Sequence, residues 1–410
     1  MAVGRADLAK CLPYRKALIG GRIMPSDPNL GIYLHIPFCA RKCAYCDFAS
    51  EGLEEAGGLS AARRYLDALA VEIDMRAASV EFEGARVESV YLGGGTPTIL
   101  PPELMAEVLG RLRSRFAFEE GAEVTIEANP GTVDEAKMAA LLAAGVNRFS
   151  LGVQSFSDET LRTLGRIHTA AEAQEAIASA RRAGGANISL DLMYGVPRQS
   201  LEEWRRSLAA AVECGVEHIS AYALTVEEGT GLQAQIESGE LPAPDDDLAA
   251  DMYLDAEQIL GEAGFEHYEI SNFARPGLEC RHNRRYWADD EYLGLGASAH
   301  SFRGGVRWNN ADDLRVYTEW IERGRLPVVR AEALSARERV GEMLMVGLRR
   351  AEGVSEEEIA RRCGLGPREV FGEEIRGLCG DGLLVAEGGR LAIPREKWLL
   401  SNEVLAEFVV

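Results

Sequence analysis

No stretch of the 410-residue chain approaches the roughly 18 consecutive apolar residues that a membrane-spanning helix needs, so no such helix is expected. The opening MAVGRADLAKCLPYRK has no apolar core of the kind a secretory leader carries, which makes the cytoplasm the expected compartment. Positive charge is scarce: 44 Lys+Arg stand against 65 Asp+Glu, a net charge of -21. That balance disfavours non-specific binding to nucleic acid or to anionic membrane surfaces. Long internal repeats and low-complexity tracts are missing, so solenoid and disordered architectures are not expected. The spacing of the cysteines gives no disulfide framework either. Cys39, Cys43 and Cys46 fall within eight residues, while Cys11, Cys214, Cys280, Cys363 and Cys379 are scattered. In a cytosolic chain a tight cluster reads as a metal or redox site, and isolated cysteines read as small apolar side chains.

Residues 1–30 carry Pro, Gly and charge without periodicity and read as an N-terminal arm. From 31 to 329 short β-type runs alternate with helical patterns. The strand candidates are 31–38, 87–94, 122–129, 148–156, 188–195 and 218–226. Repeated βα units imply a parallel sheet, open or closed. Strands of a parallel sheet covered on both faces are usually apolar throughout. Here Ile32, Leu34 and Ile36 alternate with Tyr33 and His35. Val124 and Ile126 alternate with Thr125 and Glu127, Leu151 and Val153 with Ser150, Gly152 and Gln154, and Leu190 and Leu192 with Asp191. Successive side chains point to opposite faces, so one face is polar in strand after strand. The pattern predicts an incomplete barrel with helices outside and a polar lumen. Residues 330–410 change to three helices and a hairpin turning at Gly388-Gly389, a small winged-helix-like domain. With 12 Lys+Arg and 15 Asp+Glu it is expected to pack or bind a partner and not DNA.

The strongest chemical signal is Cys39-Ala-Arg-Lys-Cys43-Ala-Tyr-Cys46, directly after the first strand. Three thiolates on one short loop suit a cubane iron–sulfur cluster. With only three, one iron stays open to chelate a small molecule. Structural zinc is the alternative, but it normally needs a fourth local ligand, and His35 lies inside the strand. The loop Gly93-Gly94-Gly95-Thr96-Pro97 follows the second strand, where glycine lets backbone approach a ligand closely. Glu127, Gln154 and Asp191 project from the polar strand faces. They read either as ligand contacts or as a satisfied polar network.

The Cys-x3-Cys-x2-Cys spacing, with Tyr45 before the last Cys, resembles the radical S-adenosylmethionine (SAM) superfamily. YLHIPFCARKCAYCDF, GGGTPT, EANPGT, LGVQSF, LGRIH and DLMYGVP follow the order of its oxygen-independent coproporphyrinogen III oxidase-like branch, over about residues 31–400. The resemblance implies an α/β partial (β/α)6 barrel and a [4Fe–4S] cluster on Cys39, Cys43 and Cys46, whose open iron SAM chelates. It further implies that Tyr33, Tyr45, Gly94, Gly95, Thr96, Glu127, Gln154, Arg166, Asp191 and Ala223 contact SAM.

A second motif is Cys280-Arg-His282-Asn283-Arg-Arg-Tyr286-Trp287. On its chemistry alone, His282 is a loop histidine or one half of a metal pair with Cys280. The HNxxYW pattern resembles HemW-type heme chaperones and not the coproporphyrinogen dehydrogenases. That resemblance makes His282 a candidate axial heme ligand, Tyr286 and Trp287 candidate porphyrin walls, and Cys280 a lesser candidate ligand. His300, in GLGASAHSF (294–302), is expected either to face a cofactor or to pack.

Two functions follow from the resemblance. One is a heme chaperone that binds heme, a [4Fe–4S] cluster and SAM, and hands heme to acceptors such as respiratory enzymes. The other is a coproporphyrinogen III dehydrogenase, which decarboxylates propionates through SAM-derived radicals. A radical methyltransferase-like relative that degrades heme is a distant third. Asp47-Phe48 stands after Cys46 where the dehydrogenase type carries a further Cys, and only about 30 residues precede the first strand. Both features favour the chaperone, so dehydrogenase activity is not expected. Dimerisation stays open, as does peripheral membrane association during heme delivery.

Overall fold

The computed structural model describes residues 28–410. The expected N-terminal arm, apart from its last three residues, and Cys11 lie outside the described residues. Six parallel strands form the heart of the fold: β1 (Asn29–Ile36), β2 (Arg86–Gly94), β3 (Ala117–Ala128), β4 (Arg148–Gln154), β5 (Ile188–Tyr194) and β6 (His218–Ala223). Helices connect them, among them α1 (Gly58–Ala77), α2 (Pro102–Arg115), α3 (Glu135–Ala143), α4 (Ala170–Arg182) and α5 (Leu201–Glu213). The helix starts follow capping chemistry. Thr169 and Ser200 form reciprocal capping boxes with Glu172 and Glu203. Asp245 caps α6 (Asp246–Glu262) by accepting from the Leu248 amide.

The alternation seen in the sequence is the two-sidedness of this sheet. Ile32, Leu34, Val90, Leu92, Val124, Ile126, Leu151, Leu190 and Ile219 are fully buried in the core under the helices. At about 25 cal/mol per Å² of apolar surface, burying this layer contributes to the stabilisation that offsets chain entropy. Their neighbours in sequence, Tyr91, Glu127, Arg148, Ser150, Asp191, Ser220 and Tyr222, line a shared lumen on the other face.

The sheet extends further than the six strands. Beyond β6 lie β7 (Glu266–Glu269) and β8 (Asn272–Ala274). Beyond β1 lie β9 (Tyr292–Leu295), β10 (His300–Arg303), β11 (Val306–Asn310) and β12 (Val328–Ala333). The order is β12-β11-β10-β9-β1-β2-β3-β4-β5-β6-β8-β7, with β9 parallel to β1 and the outer strands antiparallel. These flanks hold strands of three to six residues, too short for a clear alternation signal.

Helix α7 (Arg281–Trp287) follows β8. The small domain carries α8 (Ala336–Gly347), α9 (Glu356–Cys363), α10 (Gly372–Gly380) and a separate three-stranded sheet of residues 354–355, 385–387 and 390–392. Its hairpin turns at Gly388 and Gly389, both at positive φ. This domain packs beneath α7. The Arg362 guanidinium donates to the Ala288 carbonyl at 2.8 Å and reaches the Asp290 carboxylate at 3.3 Å, while Arg339 and Arg362 flank Asp289 at 3.6 and 3.5 Å. Among the described residues no helix is long and apolar enough to cross a membrane.

Candidate functional site

A cavity of about 360 Å³ opens at the carboxyl ends of β1–β6 and runs down the lumen. Its mouth is the cysteine loop. Backbone bonds fix that loop: Ala44 N–H donates to the Leu164 carbonyl at 3.2 Å, Leu232 N–H to the Ala44 carbonyl at 2.7 Å, and Leu53 N–H to the Cys39 carbonyl at 2.7 Å. Tyr45 anchors the loop by packing on a small apolar cluster that includes Leu164, Met193 and Leu232.

Cys39, Cys43 and Cys46 all line the cavity as free thiols. Thr96 Oγ1 donates to Cys39 Sγ at 3.6 Å, and Arg166 Nη1 to Cys43 Sγ at 3.4 Å. Such donors lower the energy of thiolate sulfur. Among the described residues no three His, Cys, Asp or Glu side chains converge on a single ion position. Three thiols that open on one cavity are the donor set an iron–sulfur cubane takes, one thiolate at each of three irons.

The glycine loop curls over the same opening. Gly94 sits at φ 106, and a Cβ there would fall 2.4 Å from the His35 ring. A Cβ on Gly95 would lie 2.7 Å from the Phe38 carbonyl oxygen. Glycine is therefore required by conformation at one position and by space at both. Gln154, at the end of β4, holds φ 65, a left-handed conformation that costs a side-chain-bearing residue and recurs at ligand sites. Arg166 Nη2 donates to the Gly152 carbonyl at 2.6 Å, while its buried Nε has no partner.

Below this rim lie the carboxylates. Glu127 accepts from Tyr91 OH at 3.0 Å and from Gly94 N–H at 3.2 Å. Burial, then the neighbouring Asp191, push its carboxyl up to about 7. Burial also raises Asp191, whose partners include Ser150 Oγ at 3.4 Å. Two desolvated carboxylates at one level of the lumen make a site that favours a cation.

The structure thus brings Tyr45, Gly94, Gly95, Thr96, Glu127, Gln154, Arg166, Asp191 and Ala223 into one cavity with the three cysteines. Tyr33 stands behind it. Its hydroxyl bonds His35 Nδ1 at 3.1 Å and its ring stacks on Tyr91 at 6.3 Å.

The HNRRYW segment lies elsewhere, as the floor. Glu123 of β3 caps α7 by accepting from Arg281 N–H and His282 N–H, each at 3.1 Å. His282 is buried, with Ser89 Oγ 3.0 Å from Nδ1 and Tyr286 OH 2.9 Å from Nε2. Its ring stacks on Tyr91 at 5.4 Å. Burial and the positive Arg285 and Arg148 bring its pKa down to about 3, so it is a neutral imidazole with both nitrogens engaged. In this arrangement it offers no lone pair to heme. Cys280 is fully buried, its thiol pushed up to about 12 by desolvation, and it donates to Glu123 at 3.6 Å. Arg285 ties the floor to the Asn29 carbonyl and to Glu88. Tyr286 meets His282 edge-on at 5.1 Å, while Trp287 turns away under Arg349. Of the segment only Asn283 lines the cavity. His300 sits exposed on β10, outside the cavity lining.

Sequence reasoning overlooked Arg148, Tyr91, Ser220, Tyr222 and Asn283, all of which line the cavity. The polar alternation of β4 carried the signal for Arg148: it lies two residues before Ser150 and shares its face.

Residues 33–211 match the model of the radical SAM superfamily, and residues 334–400 match the HemN C-terminal domain. The heme chaperone HemW of Mycobacterium tuberculosis is 40% identical over 93% of this chain and 95% of its own. That of Lactococcus lactis is 32% identical over 94% and 99%. The mitochondrial radical S-adenosyl methionine domain-containing protein 1 of Bos taurus is 38% identical over 81% and 75%. The solved structure of coproporphyrinogen III oxidase (HemN) from Escherichia coli, a radical SAM enzyme, superposes with a TM-score of 0.81 at 26% identity, covering 94% of this chain and 91% of that one.

Proposed function

The chain belongs to the HemW family of heme chaperones within the radical SAM superfamily, and on that premise we propose that it binds heme and delivers it to heme proteins such as respiratory enzymes. In this reading Cys39, Cys43 and Cys46 hold a [4Fe–4S] cluster whose open iron binds SAM. When bound, the cluster supplies a site for the amino and carboxylate groups of SAM and a route for one-electron chemistry. The protein's own contribution is positional. Glu127 and Asp191 present negative charge to a cationic ligand, Arg166 holds the cluster loop against Gly152, and the glycine loop leaves room for backbone contact. The protein is expected to work in the cytoplasm.

The observation that carries the chaperone over the dehydrogenase is the mouth itself. Asp47 and Phe48 follow Cys46 at the rim, and Phe48 is 63% exposed. A large apolar ring held in water beside a cofactor cavity suits contact with a flat apolar molecule or with a partner protein. No further cysteine stands at this place. The test is transfer. Cluster-loaded protein is charged with heme, separated from free heme and mixed with an apo-heme protein. Growth of the acceptor's Soret band faster than with the same amount of free heme supports delivery. Retention of heme, or transfer no faster than from free heme, refutes it.

A further inference from the structure

Arg148 stands at the start of β4 with its side chain in the lumen, and it is only 2% exposed. Among the described residues its guanidinium forms no hydrogen bond and no ion pair within 4.0 Å, and its Nε is buried without a partner. Every other arginine that is less than a tenth exposed has such partners: Arg76 pairs with Glu72, Arg285 with Glu88 and Arg303 with Glu291. Glu123 and Asp191 lie near enough to attract the charge of Arg148, but neither meets its guanidinium in a hydrogen bond or an ion pair. Glu123 is spent on the α7 amides and Cys280, Glu127 on Tyr91 and Gly94, and Asp191 bonds Ser150. The Asn283 side chain, on the floor of the same cavity, also has no partner among the described residues.

A buried, unpaired cation costs several kcal/mol, and natural structures almost always pair it. A guanidinium is a planar fork that matches a carboxylate with two parallel N–H···O bonds. Arg148 borders the cavity and shares it with the open Asn283 amide. We infer that the lower lumen is a carboxylate subsite, with Arg148 as the anion-binding residue and Asn283 as a neutral donor beside it. The carboxylate source that fits the proposed function on which this rests is a propionate of heme, because the amino-acid end of SAM goes to the cluster at the mouth; SAM is the competing source that the test must separate from it.

A binding role and a structural one differ in which ligands the loss of Arg148 affects. If Arg148 binds a carboxylate, replacing it costs affinity for the free carboxylate ligand and spares the blocked form. If it holds the floor together, removing it loosens the fold. The test uses full-length, cluster-loaded wild type, Arg148→Met and Arg148→Lys. Thermal midpoints are measured without ligand, and dissociation constants for heme, heme dimethyl ester, SAM and decarboxylated SAM. The expected result for Arg148→Met is affinity lost at least tenfold for one free carboxylate ligand and kept for its blocked form, with Arg148→Lys in between. If heme weakens and its ester does not, the source is a propionate. If SAM weakens and its decarboxylated form does not, the source is SAM. Affinities for both free ligands within twofold of wild type overturn the inference. So does a lowered midpoint with equal losses for free and blocked ligands. Failure of wild type to bind heme refutes the chaperone reading and leaves the SAM arm able to decide the subsite.

Discussion

Replacing Glu127 by Gln tests whether the lumen is built to hold negative charge at the expense of its own stability. Burial and Asp191 raise this carboxyl from the ordinary 4.5 to about 7. That rise corresponds to a penalty on the ionised form of about 3 kcal/mol. Below pH 4.5 the group is protonated in both folded and unfolded chains, and its stabilising contribution is complete. Between about 4.5 and 7 the folded chain keeps a proton that the unfolded chain has released, so stability drains away as the pH rises. Above 7 the full penalty is present. The neutral amide of Glu127→Gln would not titrate; it offers one oxygen to the Tyr91 hydroxyl and leaves the Gly94 N–H without its acceptor, a pH-independent cost of about 1 kcal/mol. The stability of the variant relative to wild type is therefore expected to rise by about 3 kcal/mol between about pH 4.5 and about pH 8, measured as urea unfolding of the cluster-free chain. Glu269, also raised to about 7, and Asp289, raised to about 6, titrate in both proteins and cancel in the difference. The same substitution should weaken SAM binding, and in wild type that binding should tighten as pH rises through 7, because the ionised carboxylate faces the cationic ligand. A difference between the two proteins that does not change with pH refutes the reasoning.

Three further outcomes are expected. Changing Cys39, Cys43 or Cys46 to Ala should abolish the iron content and visible absorption of anaerobically reconstituted protein. Cys280→Ser, at a buried thiol away from the cavity, should leave both intact. Gly94→Ala, which forces a Cβ into a left-handed residue beside the His35 ring, should destabilise the chain by about 1–3 kcal/mol and lower SAM affinity, read by calorimetry. His282→Ala strips partners from Ser89 and Tyr286 and should cost about 1–3 kcal/mol for each hydroxyl left unpaired. Its heme spectrum should nevertheless match wild type, and loss of the Soret shift in a folded variant would restore His282 as the axial ligand.

The core of the fold was legible because alternation survives in strands of six or more residues: Ile32 and Leu34 against Tyr33, and Leu190 against Asp191, announce both faces of the sheet. The flanking strands β7–β11 were not, since runs of three to five residues such as Glu266–Glu269 are too short to carry a period. The cysteine and glycine loops were readable because their chemistry is local. The HNRRYW segment was not, because the meaning of His282 depends on Ser89, Glu123 and Tyr286 meeting it across the floor of the barrel. A histidine in sequence carries no mark of whether its nitrogens are taken. Arg148 was missed for the converse reason: its importance lies in partners it does not have.

The central claim, that this scaffold carries heme and does not oxidise a porphyrinogen, is tested most directly by two parallel incubations of anaerobically reconstituted, reduced protein with SAM. One contains heme and the other coproporphyrinogen III. The expected result is a shifted Soret band that remains with the protein through gel filtration, and no protoporphyrinogen formed in the second vessel. Protoporphyrinogen formation over many turnovers, with heme eluting free of the protein, would contradict it.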